Sequence, residues 1–190
     1  MKIFKKSKLI LNEKASEAKI SEIKKYINSC DAFVIGAGAG LSSASGLTYS
    51  GERFENKFSD FIERYGMKDM YSAGFYPFST QEEKWAYWSR HIFYNRYDVN
   101  ATKAYTELFE LIKNRNYFVI TTNVDHQFWM SGFEDNRIFA AQGDYGLFQC
   151  AKACHKKLYK NETAVRAMVK LQRDCKIPEY LVPKCPVCGG

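Results

Sequence analysis

The chain has 190 residues, of which 46% are hydrophobic and 26% charged, and this composition excludes disordered and fibrous classes. The net charge of +7 suits an anionic partner, but the lysines are scattered, so we favour a solvated surface and an anionic cofactor over nucleic-acid binding. No apolar run approaches the length of a membrane span, and the N-terminus lacks the apolar core of a signal peptide. We therefore expect a globular cytoplasmic protein with no membrane partner.

The first predicted element is an amphipathic helix over 13–29, which leads into a short buried strand over 32–35. Three glycines follow the strand: Gly36, Gly38 and Gly40. Glycine lets the backbone turn tightly, and free N–H groups at the start of the next helix favour a pyrophosphate. The segment lacks both the third glycine of the dinucleotide-binding fingerprint and the Gly-Lys-Ser/Thr of a Walker loop. A glycine-rich turn without a ligand remains the alternative.

The next strand is predicted over 117–122, about 80 residues further along. This gap is too long for one crossover helix, so an inserted helical segment is expected over 52–116. Its candidate helices span 57–65, 80–97 and 101–114. The middle helix carries aromatic residues on nearly all faces, which predicts packing between layers, with a pocket-lining role as the alternative.

A third short strand is predicted over 137–141 and ends at Gln142. In open α/β sheets, ligands bind at the carboxyl ends of the strands. The loops that begin near Gly36, Thr122 and Gln142 are therefore expected to meet at one cleft. We predict an α/β fold with a partial Rossmann-like parallel sheet over 1–149.

The last part of the chain, 150–190, is predicted to form a small zinc module around one amphipathic helix over 163–173. Its C-x3-C and C-x2-C pairs favour zinc over disulfides in a reducing compartment, and a degenerate metal-free site is the alternative. The predicted ligands are Cys150, Cys154, Cys185 and Cys188. Cys175 is expected to be a bystander and Cys30 a small core residue.

The second strand ends in Thr121-Thr-Asn-Val-Asp125. This places the amide of Asn123 and the carboxylate of Asp125 two residues apart, on the same side of an extended segment. Such a pair can bind ribose hydroxyls or a carboxamide. Taken alone, the pattern is also common turn chemistry.

Taken in order, the Gly38–Gly46 loop, the Thr-x-Asn-x-Asp strand end, the strand that ends before glycine and the cysteine pairs resemble the sirtuin family. The resemblance covers roughly residues 20–190. It implies a Rossmann-like NAD domain with a zinc module, and cleavage of the nicotinamide–ribose bond. In that family the developing oxocarbenium ion is attacked by an acyl-lysine oxygen or another nucleophile.

The resemblance also implies roles for individual residues. The Gly-Ala-Gly backbone would hold the pyrophosphate, Asn123 would organise the ribose and a water, and Asp125 would hold the carboxamide. Asn123, Asp125 and Gln142 are the predicted catalytic residues. The predicted cofactor-binding residues are Ala37, Gly38, Ala39, Gly40, Ser42, Tyr49, Arg53, Phe54, Thr122, Asn123, Asp125 and Gln142.

Two departures from the family pattern bear on mechanism. The usual Gly-Ile-Pro-Asp-Phe-Arg continuation is replaced by Gly46-Leu-Thr-Tyr-Ser-Gly51, and Tyr49, Arg53 and Phe54 are the candidate substitutes. The family's catalytic histidine is Gln142, which can orient a ribose hydroxyl but cannot take its proton near pH 7. We expect impaired deacylation, whereas ADP-ribosyl transfer needs no activated ribose hydroxyl.

The sequence therefore predicts an NAD-dependent protein ADP-ribosyltransferase of sirtuin type, similar to the microbial macrodomain-linked branch. That similarity implies a protein acceptor, with a lipoylated carrier protein among the options, and a macrodomain partner. The alternatives are a lysine deacylase and a non-catalytic ADP-ribose-binding or adaptor fragment. The chain resembles only the N-terminal portion of a sirtuin, so we also expect that it can lack activity alone.

The three histidines are not assigned central roles. His126 follows Asp125, but its position faces the wrong end of the motif for a substitute base. His91 is predicted to be a surface or helix-face residue. His155 is also expected at the surface, with replacement of a weak thiolate ligand as its alternative role.

Overall fold

The computed structural model describes residues 13–190; the basic head of the chain, with Lys5, Lys6 and Lys8, lies outside them. A three-stranded parallel sheet organises the fold in the order β1, β2, β3. A two-stranded antiparallel ribbon, β4 and β5, lies further along the chain. The strands are β1 (Ala32–Ala37), β2 (Asn116–Thr121), β3 (Ile138–Ala140), β4 (Leu147–Phe148) and β5 (Tyr159–Lys160).

Helices flank and separate the strands. They are α1 (Glu13–Ser29), α2 (Ala39–Ala44), α3 (Glu52–Tyr65), α4 (Met70–Ala73), α5 (Gln81–Ile92), α6 (Lys103–Ile112), α7 (Gln127–Met130) and α8 (Glu162–Leu171). Helix α5 continues into a π-helical turn at Phe93–Tyr97, and short 3₁₀ turns lie at Asp135–Arg137 and Glu179–Leu181. Each sequence-predicted element is present, with ends that differ by a few residues: α3, α5 and α6 are the three helices expected in the insertion, and the short α4 was not predicted. None of the described helices is long and apolar enough to cross a bilayer.

The sheet is covered on one face only within the described residues. The covered face packs against a cluster built from α6, α7 and the following loop, with Tyr105, Tyr117 and Phe128 at its centre. On the opposite face the alternating positions are exposed. These exposed side chains are Val34, Phe118, Ile120 and Phe139.

Cys30 corrects one sequence expectation. It was expected in the core, but it is exposed. It follows α1, in which the side chains at 17–28 are exposed apart from half-buried Ile27. The amphipathic pattern identified the helix, yet nothing in that pattern shows whether a neighbouring element covers the apolar stripe.

A second core lies beneath α3 and α5 and is largely aromatic. Phe54, Phe58, Phe61 and Tyr87 are almost completely buried there, with edge-to-face and stacked rings 5.4–6.2 Å apart. His91 also lies inside this region with 2% of its surface exposed, so of the two expected positions it occupies a helix face and not the surface. Helix α5 is covered on several sides, and a histidine on it therefore becomes interior.

Candidate active site

The carboxyl ends of the three parallel strands meet at one cavity of about 370 Å³. The register sets Ala37 level with Thr121, and Thr121 in turn level with Ala140, so the loops that follow begin side by side. The amide of Thr122 donates to the Ala37 carbonyl at 3.1 Å. The cavity is lined by Ala39, Ser42, Ser43, Leu47, Tyr49, Tyr71, Thr122, Asn123, Val124, Asp125, Gln142 and Tyr145. The three loops expected to converge therefore do so.

A directed chain of hydrogen bonds links the amide and the carboxylate of the Asn-x-Asp pair. Ser42 Oγ donates to Asp125 Oδ2 at 2.5 Å. Because this uses the only hydroxyl hydrogen of Ser42, the Tyr105 hydroxyl must donate to Ser42 Oγ across their 2.7 Å contact. The Tyr105 oxygen then accepts from Asn123 Nδ2 at 2.8 Å. The order is Asn123 to Tyr105 to Ser42 to Asp125.

The surroundings of Asn123 decide which of its atoms is free for a ligand. Its Nδ2 donates to the Gly38 carbonyl at 3.0 Å as well as to Tyr105, which uses both amide hydrogens. Its backbone N–H is held by Thr121 Oγ1 at 3.0 Å. The carbonyl oxygen Oδ1 is therefore the atom left to accept a hydrogen bond from a water or a hydroxyl in the cavity.

Asp125 is fixed at both oxygens. Oδ1 accepts from the backbone N–H of Gln127 at 3.1 Å, and Oδ2 accepts from Ser42. Only 7% of the residue is exposed, so its charge lies at the wall of the cavity in a largely desolvated place. A carboxylate held in this way can receive a further donor, such as a carboxamide N–H, without moving.

The other predicted site residues fall into two groups, those that line the cavity and those that do not. Ala39, Tyr49, Thr122 and Gln142 line the same cavity as Asn123 and Asp125. Arg53 does not reach it, because its guanidinium donates to the Thr48 carbonyl at 2.9 Å, to Asn95 Oδ1 at 2.9 Å and to the Tyr94 carbonyl at 2.5 Å.

Three further predicted positions do not line the cavity with their side chains. Phe54 lies in the aromatic core with 1% of its surface exposed. Ala37 packs at the edge of the cluster under the sheet, and Gly40 is exposed in the first turn of α2. Gly38 participates through its carbonyl, which accepts from Asn123.

Two tyrosines at this site were not predicted from the sequence. Tyr105 is completely buried on α6 and completes the hydrogen-bond chain, and burial raises its pKa to about 12. Tyr145 lines the cavity opposite Tyr49, with the two hydroxyls 3.4 Å apart. Both look like ordinary aromatic positions in the sequence. For Tyr145, its place three residues after Gln142, in a glycine-containing strand end, was the available signal.

His126 lies outside the cavity lining. Its Nδ1 is hydrogen-bonded to Asp144 Oδ2, and its ring stacks on Trp129 with centroids 4.7 Å apart. Burial raises the pKa of Asp144, but hydrogen bonds from His126, the Gly146 N–H and Arg96 outweigh this effect and lower it. His126 is therefore engaged in a hydrogen bond with Asp144 and a ring stack with Trp129 beside the site.

A candidate metal centre lies in the last part of the chain, 150–190. The sulfurs of the four predicted ligands, Cys150, Cys154, Cys185 and Cys188, all lie within 4.8 Å of one another. Neighbouring sulfurs are 3.4, 3.6 and 3.7 Å apart. A tetrahedral zinc with Zn–S bonds of about 2.3 Å has sulfur–sulfur edges of about 3.8 Å. The four thiols therefore fit a zinc ion, and Cys175 is buried in the aromatic core, away from this group.

The backbone N–H groups between Cys185 and Cys188 also favour the thiolate form. The N–H groups of Cys188 and Val187 lower the pKa of Cys185 to about 6. His155 does not join the four sulfurs: its Nε2 lies 3.5 Å from Cys185 Sγ and 3.2 Å from the Tyr159 hydroxyl. His155 thus lies beside the predicted ligand Cys185, where a ring N–H can orient the sulfur.

No family model matches the chain. Two curated proteins are similar to it. A protein ADP-ribosyltransferase of Staphylococcus aureus (strain Mu50 / ATCC 700699) is 39% identical over 182 residues, which are 96% of this chain and 57% of that protein. A probable bifunctional ADP-ribose hydrolase/ADP-ribosyltransferase of Fusarium oxysporum f. sp. cubense is 32% identical over 146 residues, 75% of this chain and 24% of that protein. The chain thus spans about half or less of the length of these relatives.

Solved structures show the same fold. A Sir2 homolog in complex with NAD aligns with a TM-score of 0.59 at 19% identity, covering 89% of this chain and 57% of that one. Sir2Tm bound to a propionylated peptide aligns with a TM-score of 0.56 at 22% identity, covering 90% of this chain and 60% of that one. The motif order and these comparisons agree: the chain has the fold of the Sir2 structures and is similar in sequence to the two ADP-ribosyltransferases.

Proposed function

We propose that this chain forms the NAD-cleaving site of a sirtuin-type protein ADP-ribosyltransferase. The observation that carries the proposal is the cavity wall: Asn123, Asp125 and Ser42 are held by one ordered hydrogen-bond chain, and Gln142 lies at the same cavity. Of the described residues lining this cavity, none is a histidine or a lysine. The site is equipped to bind and orient hydroxyl and amide groups.

Each wall group suits one part of NAD. Asp125, fixed by Ser42 and by the Gln127 N–H, is placed to accept from the nicotinamide carboxamide. Asn123 Oδ1 is placed to accept from a ribose hydroxyl or a bound water. Gly40 lies two residues before Ser42, on the same short helix. A side chain at position 40 would not clash with the rest of the chain, because a Cβ added there would meet no atom within 4 Å, so packing does not explain the glycine. The glycine leaves the backbone open to a phosphate.

The chemistry we propose breaks the C–N bond between ribose and nicotinamide, and its electron pair leaves with nicotinamide. A nucleophile of the acceptor protein then forms a bond to the anomeric carbon and loses its proton to solvent. Gln142 can donate to and accept from a ribose hydroxyl, but it cannot remove the hydroxyl proton near pH 7. This favours ADP-ribosyl transfer, which leaves the ribose hydroxyls intact, over deacylation.

Two features of the relatives support the direction of the proposal. Both curated proteins carry ADP-ribosyltransferase in their names, and the fungal name adds ADP-ribose hydrolysis. We infer a protein acceptor, with a lipoylated carrier protein as one acceptor to test, and a macrodomain that removes or reads ADP-ribose as the partner. Zinc in the four-cysteine centre would hold the second module in shape and takes no part in the bond changes we propose.

The test combines nicotinamide release with mass spectrometry. The chain is incubated with NAD and acceptor protein, and separately with NAD and an acyl-peptide. A mass gain of one ADP-ribose on the acceptor supports the proposal, whereas O-acyl-ADP-ribose would assign the site to a deacylase. Asn123→Ala is expected to abolish nicotinamide release, and the exposed Asn114→Ala is the matched control that retains it. Binding of ADP-ribose with no NAD turnover, and with no loss of binding in Asn123→Ala, would instead identify a binding module.

A further inference from the structure

A buried histidine is connected to the cavity through a tyrosine. His91 lies on α5, with 2% of its surface exposed. Its Nε2 is 2.8 Å from the Tyr145 hydroxyl, and its Nδ1 is 3.2 Å from the Tyr87 hydroxyl. Tyr145 lines the cavity beside Tyr49 and Asp125, whereas His91 and Tyr87 do not. The hydrogen-bonding atoms of the histidine therefore reach the cavity through the phenol of Tyr145, and its ring also packs edge-to-face on the cavity residue Tyr49, with centroids 5.4 Å apart.

The partners of Tyr87 fix the tautomer of the histidine. The Tyr87 hydroxyl donates its single hydrogen to the Met70 carbonyl at 2.5 Å, so towards His91 it can only accept. The hydrogen of the imidazole must therefore lie on Nδ1. The ring is neutral, because burial, and to a lesser extent the charge of Arg53, lowers the pKa of His91 to about 3.

With Nδ1 protonated, Nε2 is an acceptor and the Tyr145 hydroxyl must donate to it. The only hydrogen of Tyr145 thus points away from the cavity. Its oxygen keeps two lone pairs, one of which faces the Tyr49 hydroxyl at 3.4 Å. The other is left for a donor within the cavity. The Tyr145 hydroxyl, which could otherwise donate or accept, can therefore only accept a hydrogen bond from a ligand in the cavity.

We propose that His91 is a positioning residue that holds the Tyr145 hydroxyl with its oxygen presented to the cavity, where it accepts a hydrogen bond from a ribose hydroxyl or an amide N–H of the ligand. This inference rests on the proposed function, which supplies a ligand with such donors. It adds a third fixed acceptor to Asn123 Oδ1 and the Asp125 carboxylate. The cavity then favours ligands that present several hydrogen-bond donors.

Four variants separate positioning from packing. Tyr145→Phe removes the acceptor, and His91→Met removes the group that orients it while keeping a side chain of similar volume. His91→Gln restores an acceptor for the Tyr145 hydrogen. Tyr65→Phe is the matched control, because it deletes a buried hydroxyl from the same aromatic core that has no hydrogen-bond partner in the structure.

Binding of ADP-ribose and steady-state nicotinamide release from NAD are measured for each variant, with thermal unfolding to confirm the fold. Tyr145→Phe and His91→Met are each expected to weaken ADP-ribose binding by on the order of tenfold, the loss of about one hydrogen bond. The double variant should bind no more weakly than either single variant, because both remove the same interaction. His91→Gln should recover most of the affinity, and Tyr65→Phe should bind as the wild type does.

The tautomer is tested separately by ¹⁵N nuclear magnetic resonance of the imidazole in the unliganded chain. The inference expects a hydrogen on Nδ1 and none on Nε2 of His91, unchanged between pH 8 and pH 5. A hydrogen on Nε2, or additive losses from His91→Met and Tyr145→Phe without rescue by glutamine, would overturn it. If the wild type binds neither NAD nor ADP-ribose, the proposed function fails and takes this inference with it; if the wild type binds both and the variants match it, this inference alone fails.

Discussion

Tyr105 offers the most direct test of the hydrogen-bond chain. Its hydroxyl stands between Asn123 Nδ2 at 2.8 Å and Ser42 Oγ at 2.7 Å, and its ring packs edge-to-face on Phe128 with centroids 4.9 Å apart. Tyr105→Phe deletes the hydroxyl and keeps the ring. The change therefore interrupts the chain without opening a large cavity in the cluster.

The cost can be worked from the contacts. Two neutral hydrogen bonds are lost at about 1 kcal/mol each, and a buried polar atom left without a partner adds to this. Part of the loss is recovered, because Asn123 Nδ2 also lies 3.3 Å from Ser42 Oγ and can turn towards it. We expect the free energy of unfolding to fall by about 1–2 kcal/mol. The same turn of the amide displaces Oδ1, so ADP-ribose binding should weaken by about five- to tenfold.

Tyr117→Phe is the matched control for this experiment. Tyr117 is buried in the same cluster and its hydroxyl accepts one hydrogen bond, from the Glu134 N–H at 3.0 Å, away from the cavity. Denaturant unfolding and calorimetric titration with ADP-ribose are run on both variants. Both should lose stability to a comparable degree, and only Tyr105→Phe should lose affinity. Equal affinity in the two variants would refute the idea that the chain positions Asn123.

Three further predictions address other parts of the molecule. His91 has a pKa of about 3 in the folded chain and of about 6.5 in the unfolded chain, so between these pH values the unfolded state binds more protons. The free energy of unfolding should therefore fall on acidification below pH 6.5, by up to about 1.4 kcal/mol per pH unit. Denaturant titrations of His91→Gln at several pH values should lack this component. Cys188→Ser or a strong chelator should remove one zinc per chain and lower the thermal midpoint, whereas Cys30→Ser, at an exposed cysteine outside the cluster, should retain full metal content by elemental analysis. Gln142→His should add an ionisation to the pH profile of nicotinamide release that the wild-type profile lacks; identical profiles would mean that residue 142 does not contact the reacting ribose.

The sheet and the meeting of its loops could be predicted because each signal was local. Apolar, β-rich runs over 32–35 and 117–122 identify strands, although β1 proved to be exposed on one face and not buried as expected, and parallel strands place their carboxyl ends at one edge. The cysteine spacing likewise identified the four sulfurs that the fold brings together. In these cases a short segment carries enough information to fix its own conformation.

The directions of hydrogen bonds could not be predicted in this way. Tyr105 and His91 lie on helices whose patterns indicate only that they are amphipathic or aromatic, and their hydrogen-bond partners at the cavity wall are 18 to 63 residues away in the chain. Whether Cys30 is covered depends on how α1 packs, which its own pattern does not encode. Burial of a polar side chain is a property of the assembled layers, and the sequence shows only the candidates.

The fixed directions of these hydrogens bear on which reaction the site favours. The hydrogen of Ser42 is held by Asp125, and Tyr145 can donate its hydrogen only to His91. Burial is the main effect that raises the pKa values of Tyr49 and Tyr145, so neither phenol becomes a base near neutral pH. Among the described side chains at the cavity wall, Asp125 carries the only carboxyl group, and its two oxygens already accept hydrogen bonds. Under the proposed function, a wall built in this way would stabilise a bound sugar and a departing amide by prearranged dipoles, which suits transfer to an external nucleophile better than a reaction that must first deprotonate the sugar.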